Sequence, residues 1–315
     1  MDDRWILTLR GDKNPLNPNR PYAYLVEKER TASGVVEDVA TIFLTNRECP
    51  LRCLMCDLWK NTTDDSVPKG AIPTQIEWAL SQLPPAKHIK LYNSGNFFDS
   101  KAIPLSDYAA VASLLAGFET VIVECHPKLI NNRCLEFRDM LQSGLEIALG
   151  LETVQPEVLQ KLNKRMNLND FAKSIQFLKK GGISTRAFIL LRPPFLSEAE
   201  GEFWAIRSLD FAFEAGVECC TVIPTRTGNG ALDHLQKERY FSSPRIESLE
   251  SVLDYGIGLN AGRVFADLWD LEIFSSCEKC FQKRRNRLQK MNLEQKILPL
   301  IECNCHQNNT PQGRQ

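Results

Sequence analysis

The sequence predicts an α/β protein: a partial (β/α)6 barrel followed by a short cysteine-rich, metal-binding tail. Three observations carry that expectation. From residue 40 onward, short apolar runs alternate with longer amphipathic stretches. The first of those runs leads directly into a loop carrying Cys49, Cys53 and Cys56. A second cysteine group, Cys277, Cys280, Cys303 and Cys305, gathers near the C-terminus.

The chain has 315 residues, enough for one large α/β domain with additions or for two smaller ones. Hydrophobic residues make up 43% and charged residues 24%, an ordinary globular composition. The net charge is −1, so any nucleic-acid contact must come from a local basic patch. No apolar run reaches the roughly 20 residues that span a bilayer, so no membrane partner is expected. Eleven cysteines behind an N-terminus that does not read as a secretory signal point to a reducing, cytoplasmic setting and to metal or redox use.

Residues 1–39 are polar and rich in turn formers (Asn14-Pro15, Asn17-Pro18, Arg20-Pro21) and are expected to form an irregular extension. The barrel is expected over residues 40–260 and the cysteine-rich extension over 261–315. Within the barrel the apolar runs predict strands at 40–44, 88–92, 120–124, 146–151, 185–191 and 218–223. Helices are expected between them at 73–81, 106–115, 132–143, 156–162, 168–180 and 198–215. Buried strands alternating with helices of this length argue for βα units around a parallel sheet. In such barrels, functional groups sit at the C-terminal ends of the strands.

After the first strand, Glu48-Cys49-Pro50-Leu51-Arg52-Cys53-Leu54-Met55-Cys56-Asp57 spaces its thiols CxxxCxxC. A [4Fe–4S] cube is normally held by four thiolates, so three leave one iron open to another ligand. After the second strand, Ser94, Gly95 and Asn96 combine close backbone approach with polar side chains. The third strand ends in Glu124-Cys125-His126-Pro127 and the fourth in Gly150-Leu151-Glu152-Thr153. A carboxylate there contacts ligand hydroxyls or caps the next helix; ligand contact is favoured for Glu152. His126, a lone histidine beside proline, reads as structural more readily than as an acid or base. Asn163-Lys164-Arg165 reads as a solvated helix end. Arg192, held extended by Pro193 and Pro194, offers a fork suited to a carboxylate.

These motifs together resemble the radical SAM superfamily, and within it the archaeosine-synthase radical SAM subunit and, more distantly, the radical SAM domain of the Elongator catalytic subunit. The resemblance covers most of residues 40–306. It implies a radical SAM type of partial TIM-like barrel in which Cys49, Cys53 and Cys56 hold a [4Fe–4S] cluster and S-adenosylmethionine (SAM) chelates the open iron. Met55 would present its backbone to the adenine. Ser94, Gly95 and Asn96 look like the segment that holds the methionyl amine, although its usual acidic residue is absent. Glu152 would contact the ribose or methionyl group, and Arg192 the methionyl carboxylate or a substrate anion. The implied function is reductive cleavage of SAM to a 5′-deoxyadenosyl radical that modifies a tRNA nucleoside, with archaeosine-type C–N bond cleavage as the model step. An electron donor such as flavodoxin or ferredoxin and a partner modification enzyme are implied as well.

In the tail, CxxC and CxC pairs make a tetrahedral thiolate set for zinc or for a second iron–sulfur cluster, with the paired arrangement favouring zinc and His306 as a substitute ligand. Between the pairs lies the densest basic stretch, with Arg284, Arg285 and Arg287. It reads equally as an RNA phosphate contact or as a solvated helix face. The alternatives to the tRNA reading are a radical SAM enzyme acting on a small molecule or peptide, and a non-catalytic RNA-binding protein stabilised by metal.

Overall fold

The computed structural model describes residues 1–303, which fold around one sheet of eight strands arranged in chain order. The strands are β1 (Ala23–Arg30), β2 (Val36–Phe43), β3 (His88–Tyr92), β4 (Thr120–Cys125), β5 (Gly144–Glu152), β6 (Ser184–Leu191), β7 (Cys219–Pro224) and β8 (Arg263–Ala266). β1 runs antiparallel to β2, and each pairing from β2 through β8 is parallel. Among the described residues β1 and β8 do not pair, so the sheet is a curled, open half-barrel. The helices are α1 (Asp3–Thr8), α2 (Ala71–Gln82), α3 (Tyr108–Leu114), α4 (Asn132–Met140), α5 (Pro156–Lys161), α6 (Leu168–Lys180), α7 (Glu198–Ala215), α8 (Ala231–Lys237), α9 (Ile246–Gly258) and α10 (Glu278–Glu294).

All six expected strands are present, and β2 begins earlier than the apolar run suggested. Two expectations are corrected. Residues 1–39 are not irregular: they supply α1, β1 and the first half of β2. The charged run Glu27-Lys28-Glu29-Arg30 hides β1 from any search for apolar segments, because its carboxylates face the barrel interior. The second correction is β8, a seventh parallel strand beyond residue 260, too short at four residues to stand out by periodicity. The sheet therefore runs through both of the expected domain borders.

Alternate strand residues face outward and form the main core with the helices; Ile42, Leu91, Val123, Ile147, Ile189, Val222 and Val264 all belong to it. Side-chain alternation then turns their neighbours inward. Near the N-terminal end of the barrel those inward residues are charged. Lys90 Nζ lies 2.6 Å from Glu29 Oε2 and 2.9 Å from Glu27 Oε1. Arg186 joins Glu29 at 2.6 Å to Glu146 at 2.7 Å, and Arg263 meets the other Glu146 oxygen at 3.0 Å. Lys90, Glu146 and Arg186 are buried. Burial alone would raise the Glu29 pKa, but the Arg186 and Lys90 charges override it and hold the carboxyl far below the usual range. Glu146 is likewise held down, against its own burial, by Arg186 and Arg263.

This charged layer plugs one end of the barrel and ties β1, the antiparallel edge strand, to β3, β5, β6 and β8. Removing one partner leaves a buried charge uncompensated, so Glu29→Ala should cost about 3–5 kcal/mol. Because the folded-state pKa of Glu29 is depressed, its contribution is present above the ordinary value of 4.5 and fades as pH falls below it. Urea unfolding of wild type and Glu29→Ala should thus differ most near neutral pH and converge in acid.

Candidate functional site

The loop after β2 carries Cys49, Cys53 and Cys56 at the C-terminal end of the barrel, where several elements hold it. Asn96 Nδ2 donates to Cys49 Sγ at 2.9 Å. The Leu54 amide donates to Leu162 O at 2.9 Å. Asn163 Nδ2 donates to Arg52 O at 2.7 Å, and Asn229 Nδ2 to Leu54 O at 2.8 Å and Cys56 O at 3.3 Å. Leu54 and Met55 sink into a second apolar cluster with Ile6, Leu162, Leu190 and Leu232. The N-terminal segment closes the outside: Arg10 and Lys13 each reach Glu48 at 2.7 Å, and Arg10 stacks 4.7 Å from the Trp59 ring.

Burial pushes all three thiols up, Cys53 to about 11 and Cys56 further. The loop holds neutral thiols until a positive partner arrives, which suits a metal-bound donor set. The loop thiols are also not drawn together as ligands of one ion would be. Among the described residues, the cysteine group whose sulfurs all lie within 4.8 Å of one another is Cys277, Cys280 and Cys303. Thiolates on different irons of a cube stand farther apart than thiolates sharing one ion, so the residues present fit a cluster.

The segment after β3 lies directly against this loop. A Cβ added to Gly95 would sit 3.4 Å from Cys49 Cβ, in ordinary van der Waals contact with the cysteine loop. Ser94 adopts a left-handed φ of 52° and shares a 2.8 Å hydrogen bond with the Tyr22 hydroxyl. Asn96, 1% exposed, accepts from the His126 amide at 2.6 Å while donating to Cys49. Glu124 Oε1 accepts from the amides of Asn93 at 2.7 Å and Gly95 at 3.3 Å. Thus a carboxylate absent from the segment itself arrives from β4, where it shapes the segment's backbone. Burial raises the Glu124 pKa to about 7.

Glu152, at the end of β5, also has a left-handed φ, 67°, and its Oε1 lies 2.5 Å from Lys164 Nζ. Lys164 is therefore not part of a solvated helix end. It is 6% exposed and lies near enough to Cys53 and Cys56 for their charges to interact. Any side chain at Gly150 would strike both Glu152 and Lys164, so the pair rests in the space that glycine leaves. His126 uses both ring nitrogens: Nδ1 accepts from the Lys128 amide at 3.1 Å, which leaves Nε2–H to donate to Lys164 O at 2.9 Å. Burial and the nearby Lys164 charge lower its pKa to about 3, so the ring is neutral and structural.

Other expected residues go elsewhere. Arg192, at φ 52°, places Nη1 2.6 Å from Glu198 Oε2 and 2.8 Å from Ser243 O. Its fork thus binds a carboxylate of this chain rather than standing open for a ligand. In the basic stretch, Arg284 pairs with Glu250 and Glu247, and Arg287 with Asp254 at 2.7 Å. Both arginines are buried, because α10 packs this face on α9, and only Lys283, Arg285 and Lys290 remain exposed. Cys305 and His306 lie outside the described residues.

Sequence reasoning missed Lys164 and Tyr22 as parts of the site, and read the loop of Asn229 as a turn that shapes the substrate side of the barrel mouth. Asn229 carried a signal, its place between two glycines just after a strand; Tyr22 and Lys164 carried none that distinguishes them from surface residues.

No protein-family model matches the chain. It is similar to an uncharacterized protein of Methanocaldococcus jannaschii, 23% identical over 91% of this chain and 85% of that one. It is also similar to archaeosine synthase subunit beta of Methanosarcina acetivorans, 26% identical over 54% of this chain and 53% of the relative, and of Thermococcus kodakarensis, 25% identical over 47% and 49%. The match thus spans about half the length of each archaeosine synthase subunit. Among solved structures, the fold resembles Methanocaldococcus infernus Elp3 (TM-score 0.52, 14% identity, 70% of this chain and 59% of that chain). It equally resembles methylornithine synthase (TM-score 0.51, 15% identity, 70% and 64%). The chain shares with both an open half-barrel of parallel strands. Among the described residues, no helix is long and apolar enough to cross a membrane.

The raised Glu124 pKa gives a signed test. The folded state holds this proton more tightly than the unfolded state does, so its contribution weakens as pH rises from 4.5 to about 7. Glu124→Gln keeps the acceptor and removes the titration. The stability of wild type relative to Glu124→Gln, from denaturant melts, should fall across that window and then level off.

Proposed function

We propose that this chain, built on the radical SAM half-barrel, is a radical SAM enzyme whose [4Fe–4S] cluster is held by Cys49, Cys53 and Cys56. The observation that carries the reading is the cysteine loop itself: three thiols within eight residues at the strand ends, Cys53 buried and Cys49 and Cys56 partly so, in a loop held by Asn96, Asn163 and Asn229. When bound, the cluster supplies the electron that breaks the C5′–S bond of SAM, releasing methionine and leaving a 5′-deoxyadenosyl radical to take hydrogen from the substrate.

The chain's own residues bind and orient. Ser94, Gly95 and Asn96 line the approach to Cys49, where their oxygens would accept from the methionyl ammonium. Lys164 occupies one oxygen of Glu152 and leaves the other for a ribose hydroxyl. The Met55 backbone, anchored by its side chain in the second apolar cluster, would meet the adenine. The Lys164 ammonium places positive charge beside the thiolates, which lowers the cost of gathering their charge at one buried point.

For the substrate we favour a tRNA nucleoside and an archaeosine-type step, which the likeness to two archaeosine synthase subunits supports. An electron donor such as flavodoxin or ferredoxin and a partner modification enzyme belong to that reading. A small-molecule or peptide substrate is favoured by one observation: the basic stretch of α10 commits Arg284 and Arg287 to internal carboxylates.

Anaerobically reconstituted protein given SAM and a strong reductant should release 5′-deoxyadenosine, and Cys53→Ala should abolish the release. Fully loaded wild type that yields none contradicts the enzymatic reading. Adding unmodified tRNA together with tRNA carrying the partner's product, then digesting to nucleosides, separates the substrates. A new nucleoside formed only in the presence of SAM supports the tRNA reading, whereas turnover on neither tRNA favours a small molecule or peptide.

A further inference from the structure

The second thiol group lies where the fold otherwise has little holding it together. Cys277 occupies the N-cap of α10 and Cys280 its first turn, and both are buried, at 8% and 6% exposure. α10 has 17 residues, about 25 Å at ~1.5 Å each. After Gln295 turns the chain in a left-handed conformation, residues 296–303 run back beside the helix without regular structure. Eight steps of ~3.3 Å cover about 26 Å, so this return strap reaches the start of the helix when nearly extended. There the sulfurs of Cys277, Cys280 and Cys303 converge within 4.8 Å of one another.

The strap is only partly anchored, through Leu298, which packs against the main core. Its Ile297 and Leu300 side chains are 54% and 66% exposed. Arg287 fixes its middle, donating from Nε to Pro299 O at 2.9 Å and from Nη2 to Leu298 O at 2.7 Å. Fixing an extended segment costs about 1–2 kcal/mol per residue in backbone entropy, more than a few hydrogen bonds at about 1 kcal/mol each return. A stronger tie at the Cys303 end is required.

We propose that Cys277, Cys280 and Cys303 bind a single tetrahedral metal ion of the zinc type, which staples the return strap to the start of α10. The spacing favours one ion over a second cluster. Tetrahedral Zn–S bonds of ~2.3 Å put thiolate sulfurs about 3.8 Å apart, inside the observed limit, whereas a cube spreads its thiolates over separate irons. The ion would hold α10 along its whole length, and with it the buried Arg284 and Arg287 pairs that join α10 to α9. It adds a structural metal site independent of the cluster and of SAM cleavage.

The test uses the full chain with Cys49, Cys53 and Cys56 all replaced by Ala, so that cluster iron does not enter the count. Elemental analysis should find one zinc per chain and no iron, and cobalt exchange should give intense thiolate-to-cobalt charge-transfer absorption. Adding Cys303→Ser should weaken zinc retention against a chelator by tenfold or more and open residues 296–303 to protease. Iron with acid-labile sulfide, or absence of bound metal, would overturn the proposal. So would zinc retention unchanged by Cys303→Ser. Should the combined variant fold poorly, protease cleavage of the wild-type strap with and without a zinc chelator decides the same point: cleavage must rise on chelation.

Discussion

Bringing three cysteines together in one partly buried loop at the strand ends is the constraint around which this structure is arranged. Burial opposes thiolate formation at Cys49, Cys53 and Cys56. Carbonyls of the loop accept from Asn163 and Asn229, the Cys49 sulfur accepts from Asn96, and Lys164 adds a positive charge nearby. Asn96 follows β3, Asn163 and Lys164 share the loop after α5, and Asn229 follows β7, so the parallel sheet is what brings them to one place.

The sheet achieves this with local strain. Ser94, Glu152 and Arg192, which follow or end β3, β5 and β6, all adopt left-handed backbone conformations that side chains ordinarily avoid. Each such residue costs about 1 kcal/mol or more and persists only where surrounding structure fixes it. Tyr22 fixes Ser94, Lys164 fixes Glu152, and Glu198 fixes Arg192. At the opposite end of the barrel, the buried Lys90, Glu29, Arg186, Glu146 and Arg263 network keeps the strands in register. Strain collects at one end of the strands and ionic fixation at the other.

Much of the fold was legible because six of its strands are apolar runs and its longer helices are amphipathic with recognisable caps. α6 begins at an Asn167–Asp170 capping box and α7 at a Ser197–Glu200 capping box. β1 was illegible because its inward face is carboxylate rather than aliphatic, and only a partner 61 residues away (Lys90 for Glu29) gives that charge a reason to be buried. The cysteine loop was legible as a candidate site, since its signal lies in local spacing. Lys164 could not, since a lysine after a short helix looks solvated until the fold sets it against Glu152. Arg192 and the α10 arginines failed in the opposite direction: residues that look available for a ligand are satisfied by carboxylates far away in sequence, Glu198 excepted.

The central claim is an iron left open by a three-thiolate set. Electron paramagnetic resonance of the anaerobically reconstituted, reduced protein tests it most directly. The account predicts a [4Fe–4S] signal whose line shape changes when SAM is added, and no such cluster in a chain lacking Cys56. A cluster signal indifferent to SAM would mean that every iron already has a protein ligand, and would contradict the account.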